Sequence, residues 1–170
     1  MSGGGVGSVI TDLCEATARD CREVYVINLY RKSDEDIVKE SEWAKKYGVH
    51  ILLMQEDPKM GVLGIFKRLR KTLKELAKDD ECCLYLHLKW GMLAGLVSSL
   101  GLKNIRRVEV YHSGYMNYKL QAFVSKPFTH HYLSVSKEAK QQLINWFGVD
   151  GEKVTVAYNG VDIEHIRELG

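Results

Sequence analysis

Few residues of this chain are both chemically capable and placed to act, and most of them fall at expected turns. Tyr111-His-Ser-Gly114 puts His112 where a run of β-formers gives way to a loop. A histidine there, followed by Ser113 and Gly114, can offer an imidazole or a backbone N–H to a substrate. It can equally be an ordinary loop histidine. His87, in Leu86-His-Leu-Lys89, ends another β-rich run. A lone strand-end histidine is more often a structural one satisfied by backbone, and that reading is favoured for His87. Gly3, Gly4, Gly5 and Gly7 crowd the first residues, ahead of an expected helix. Bare backbone N–H groups at the positive end of a helix suit a phosphate or a sugar. The alternative is a flexible tail, with Ser8 capping the helix.

Other groupings carry less. Lys67, Arg68, Arg70, Lys71, Lys74 and Lys78 are opposed within their stretch by Glu75 alone. Ile65, Phe66, Leu69, Leu73 and Leu76 interleave with them at helical spacing. Such a helix can lie on anionic lipid. More often its apolar stripe faces its own sheet, and one stripe cannot serve core and lipid together. His130 and His131 are adjacent, so in a strand their side chains point to opposite faces and do not share a metal. Cys14, Cys21, Cys82 and Cys83 lack zinc spacing and sit in apolar settings, where they behave as small hydrophobes. Reduced thiols in a cytosolic compartment fit that usage.

The elements that must hold these residues alternate. Strands are expected over Glu23–Asn28, Val49–Met54, Cys82–His87, Arg107–His112, His131–Val135 and Lys153–Ala157. They are apolar on both faces, as buried parallel strands tend to be. Helices are expected over Ser8–Asp20, Asp34–Tyr47, Gly61–Lys78, Trp90–Leu100 and Lys137–Phe147. Ser33 and Ser136 stand as N-caps, and Gly48 and Gly148 as stops. Alternation of this kind implies a doubly wound, Rossmann-like α/β fold, with a mostly parallel sheet and helices on both faces. His87 and His112 then share the carboxyl edge of the sheet, where ligands of such folds bind. No strand precedes the glycines, so the expected first strand is missing.

The chain has 170 residues, 45% of them hydrophobic and 27% charged, with a net charge of +2. That describes a single globular unit and excludes disorder. The charge is too even for a surface devoted to nucleic acid. The apolar runs fall far short of a spanning helix, and the N-terminus lacks the pattern of a signal peptide. The spacing argues against a dinucleotide-dependent oxidoreductase. Gly3, Gly5 and Ser8 break the G-x-G-x-x-G pattern, and Asn28 is not acidic.

Leu133-Ser-Val-Ser-Lys-Glu-Ala-Lys140, Gly148-Val-Asp-Gly-Glu-Lys-Val-Thr-Val156 and Tyr158-Asn-Gly-Val-Asp162 together resemble the family-four glycosyltransferases of the GT-B fold. Gly3-Gly-Gly-Val-Gly7 is similar to that family's glycine-rich loop. Leu86-His87 with Lys89-Trp-Gly-Met-Leu-Ala-Gly95 is similar to its histidine and small-residue helix. Tyr111-His-Ser-Gly114 is similar to its His-Gly turn. The resemblance implies that residues 1–170 form the N-terminal, acceptor-side domain of a retaining transferase. The C-terminal nucleotide-sugar domain is then absent, and the domain alone is expected to be inactive.

The resemblance further implies a nucleotide diphosphate sugar donor and a saccharide or lipid-linked acceptor. His112 is expected at the donor sugar or the developing charge, and His87 in the acceptor cleft. Gly3, Gly4, Gly5, Gly7, Ser113 and Gly114 are expected to line the substrate site, with no metal and no cofactor. A cytoplasmic protein is implied, peripheral at the inner membrane surface through Lys67, Arg68, Arg70, Lys71 and Lys74. The slot left by the first strand implies self-association. The rival expectation is a non-catalytic interaction or membrane-anchoring subunit of a two-chain transferase.

Overall fold

A computed structural model describes residues 5–20, 23–30, 33–112 and 118–158. In chain order the elements are α1 (Gly5–Asp20), β1 (Val24–Asn28), α2 (Asp34–Tyr47), β2 (Val49–Leu53), α3 (Val62–Leu76), β3 (Cys82–His87), α4 (Leu88–Ser99), β4 (Ile105–Tyr111), α5 (Tyr118–Ser125), β5 (His131–Ser134), α6 (Lys137–Phe147) and β6 (Val154–Val156). A single 3-10 turn, Gly151–Lys153, leads into β6. The described residues fall into two compact units, one within Met1–Leu53 and one over Met54–Tyr158.

In the first unit β1 pairs in parallel with β2, from Val24 opposite Val49 to Asn28 opposite Leu53. Strand alternation puts Val24, Val26, Val49 and Ile51 on one face. Cys14 of α1 and Ala44 of α2 pack there with Ile10, Trp43 and Tyr47. The Trp43 indole donates to Glu15 Oε1 at 2.8 Å, tying α2 to α1. On the other face Tyr25 stacks on His50 with ring centroids 4.8 Å apart. The ends of α2 are set by local chemistry. The Ser33 hydroxyl accepts from the Asp36 N–H at 3.2 Å, and Gly48 takes a φ of +68°.

The second unit carries four parallel strands in the order β3-β4-β5-β6. Each strand neighbours the next in sequence, so right-handed crossovers deliver α4, α5 and α6 to the same face. There α3 packs on α4, α4 on α5 and α5 on α6. Leu84 and Leu86 of β3 meet Met92 and Leu96 of α4. Tyr111, Tyr132 and Val154 meet Ala122, Ala139 and Leu143. A polar group is buried among them: Glu109 of β4 accepts from the Ser125 hydroxyl at 3.0 Å.

The α/β alternation is as expected, with parallel sheets flanked by helices. Among the described residues the strands pair as a sheet of two and a sheet of four. Three differences are informative. Strand β4 starts at Ile105, because the Cys82 N–H donates to the Asn104 carbonyl at 2.8 Å and Ile105 is buried opposite Cys82. Helix α1 begins at Gly5 rather than Ser8, so Gly5 and Gly7 belong to its first turns. Helix α5, between His112 and His131, had no counterpart in the sequence reading. Gly3, Gly4, Ser113 and Gly114 lie outside the described residues.

Candidate functional site

The register of β3 and β4 brings two histidines together. Leu86 lies opposite Glu109 and His87 opposite Val110. Side chains alternate along a strand, so His87, Val110 and His112 share one face, opposite to the helix layer. His112 stands two residues past the partner of His87, on the adjacent strand. The two rings therefore meet at the carboxyl ends of β3 and β4. His87 Nδ1 lies 3.3 Å from His112 Nε2, with ring centroids 5.5 Å apart. One ring donates its N–H and the other accepts.

Both rings are partly buried, and this sets their charge. Burial, with the neighbouring His112 adding to it, pushes His87 down to about 4. Burial also lowers His112 below the usual histidine range. At neutral pH both are free imidazoles. A neutral pair can accept a hydroxyl proton on one nitrogen or offer an N–H from another. It cannot hold two protons across a 3.3 Å gap without repulsion.

The backbone under the pair is unusual. Leu88, the first residue after β3, has a φ of +59°, a left-handed conformation that non-glycine residues rarely adopt. Its side chain is largely exposed. The cost of such a conformation is about 1–3 kcal/mol. It turns the chain from β3 directly into α4, leaving His87 as the residue before the helix. Further along α4, a Cβ on Gly95 would stand 2.3 Å from Leu86 Cδ2. The missing side chain lets the helix lie close against the residue preceding His87.

Within the second unit, the other described histidines and Arg68, Arg70 and Lys71 of α3 make contacts of their own. His130 Nδ1 accepts from the Arg107 backbone N–H at 3.0 Å, and His131 Nε2 faces the Thr155 hydroxyl at 2.8 Å. Among the described residues no group of three or more His, Cys, Asp or Glu side chains is placed to hold a metal ion. On α3, Arg70 donates to the carbonyls of Ser98 and Leu100 at 3.1 and 2.8 Å. It thereby satisfies orphan carbonyls at the end of α4. Arg68 pairs with Glu56, and Lys71 lies 3.9 Å from Glu75. Ile65, Leu69 and Leu73 of the same helix are buried. A shallow depression lined by Lys137, Gln141 and Trp146 follows α6 and holds neither histidine.

Sequence reasoning placed His87 and His112 at strand ends but did not bring the rings into contact. Only the register does that, because a shift of one residue would have put them on opposite faces. The strain at Leu88 leaves no sequence signal, since leucine marks no turn.

Comparison with known proteins gives the chain a family. A crystal structure of a glycosyltransferase from Rickettsia africae ESF-5 superposes with a TM-score of 0.67 at 16% sequence identity. The match covers 99% of this chain and 43% of that one, so the chain spans less than half the length of that protein. At that identity the likeness establishes a shared Rossmann-like fold. No curated protein matches the chain. The family model described as Glycosyltransferase Family 4 matches residues 3–165. A match over nearly the whole sequence settles the family, and the chain belongs to glycosyltransferase family 4.

Proposed function

We propose that this chain is the acceptor-side half of a retaining glycosyltransferase. The complete enzyme moves a sugar from a nucleotide diphosphate sugar to an acceptor hydroxyl. The difficult event is departure of the diphosphate while the anomeric carbon gains positive charge. Preorganised donors and dipoles at that centre lower the barrier, and holding donor and acceptor together removes an entropic cost. His112 takes the place nearest the donor sugar. As a neutral imidazole it donates or accepts a hydrogen bond without adding a cation beside a developing oxocarbenium ion. His87 faces the acceptor side and holds the His112 ring through the shared hydrogen bond. Substrate contacts are proposed as well for Gly3, Gly4, Gly5 and Gly7, and for Ser113 and Gly114.

One observation carries the proposal. A chain matched by family 4 over residues 3–165 sets two half-buried histidines 3.3 Å apart at the carboxyl ends of adjacent parallel strands. Half a cleft supplies only part of the donor contacts, so this chain alone is expected to turn over no nucleotide sugar in a radiolabelled transfer assay. In the full-length protein, His112→Ala is expected to lower kcat/KM by about 10²-fold or more, the usual scale for a positioned histidine. Normal turnover by the 170-residue chain, or unchanged kcat/KM in the variant, overturns the reading.

A further inference from the structure

We propose that Leu88 is a specificity residue of the site, presenting an apolar surface beside the histidine pair to an uncharged, carbon-rich part of the acceptor; the inference rests on the transferase reading. Strand β3 ends at His87 and α4 begins at Leu88, with no loop residue between them. The turn from strand to helix is made within Leu88, whose φ is +59°. A strained strand-to-helix turn of this kind holds its residue exposed above a parallel sheet. Here the residue so held follows His87 directly, at the carboxyl end of β3, where ligands of open parallel sheets bind.

Neither the backbone nor the core accounts for a leucine there. At the other positive-φ positions among the described residues the chain uses glycine: Gly48, Gly101 and Gly148. Glycine adopts that conformation without a steric cost, and asparagine visits it readily. A large apolar side chain ordinarily offsets a strained backbone by burial, yet Leu88 is 59% exposed. Trp90, in the first turn of the same helix, is 55% exposed and enlarges the apolar surface. The chemistry of the side chain then selects the ligand part. An isobutyl group makes no hydrogen bond and favours surface that gives up water readily. A phosphate or carboxylate against it would lose hydration without gaining a partner. Hydrogen bonding to the reacting hydroxyl falls to the imidazoles, so the part of the acceptor that meets Leu88 is an aryl or alkyl aglycone. Lys89 is exposed next to Leu88, which makes an anionic ligand the competing occupant.

The test is ligand-observed NMR of the 170-residue chain with methyl and phenyl glycosides of glucose, galactose and mannose, and with glucose 1-phosphate as the anionic competitor. For at least one sugar the phenyl glycoside is expected to bind about fivefold or more tighter than the methyl one. Leu88→Gly should erase that preference. Leu88→Gly and Leu88→Asn should both melt no lower than the wild-type chain, because each residue suits a left-handed backbone. The inference is overturned if no phenyl glycoside is preferred, if the preference survives in Leu88→Gly, or if glucose 1-phosphate binds tightest. It is also overturned if both variants melt lower, which assigns the leucine to packing. Sugar transfer by the full-length protein separates the two readings. Intact transfer alongside any of these results removes this inference alone, whereas absent transfer removes the transferase reading with it.

Discussion

At His87 the protonated form is disfavoured by burial and by His112 at 3.3 Å. The unfolded residue takes up a proton near its ordinary value of 6.5, whereas the folded one does so near 4. Between those values the unfolded chain binds more protons, so stability falls as pH drops through that window. Below it both states are protonated and this group costs nothing further. The whole effect amounts to about 3 kcal/mol. Urea unfolding at pH 7 and pH 4.5 should therefore reveal acid destabilisation that is smaller in His87→Phe. An equal pH dependence in the two proteins would contradict the burial of this ring. The same low basicity keeps the pair neutral at physiological pH, the state in which it can relay a hydrogen bond.

Helix α4 is held to β3 by an absent side chain. With Leu86 buried and its Cδ2 lying 2.3 Å from any Cβ at position 95, Gly95→Ala forces the leucine or the helix to move. A loss of about 1–3 kcal/mol in chemical denaturation is expected. Since Leu86 precedes His87, the variant should also shift the imidazole resonances of His87 and His112. Elements differ in how openly the sequence declares them. Helix α6 was legible because Ser136 accepts from the Ala139 N–H at 3.1 Å and Gly148 adopts a φ of +61°, both foreseeable from residue type. Helix α5 was not. It is short, Pro127 follows it closely, and its large apolar residues point away from the core, so the usual pattern is inverted. The strand ends bearing the histidines could be read from β-propensity and turn residues. Their meeting depended on inter-strand register, which no local pattern encodes.

Over the whole molecule, the two units carry separate thiol reporters. Cys14 is buried in one, and burial with help from Glu15 pushes its thiol up to about 11. Cys83 is exposed in the other. Mass-resolved labelling at pH 8 should modify Cys83 promptly and Cys14 only after its unit opens, because the thiolate is the reactive form and Cys14 scarcely populates it. Rapid modification of both in native buffer would mean that the core under α1 is not closed. The order β3-β4-β5-β6 also governs how the larger unit comes into being. Each new strand docks beside the one synthesised just before it, so every closure spans one short helical crossover. Assembly can follow translation step by step, with the histidine-bearing strands zipped together before the final strand leaves the ribosome.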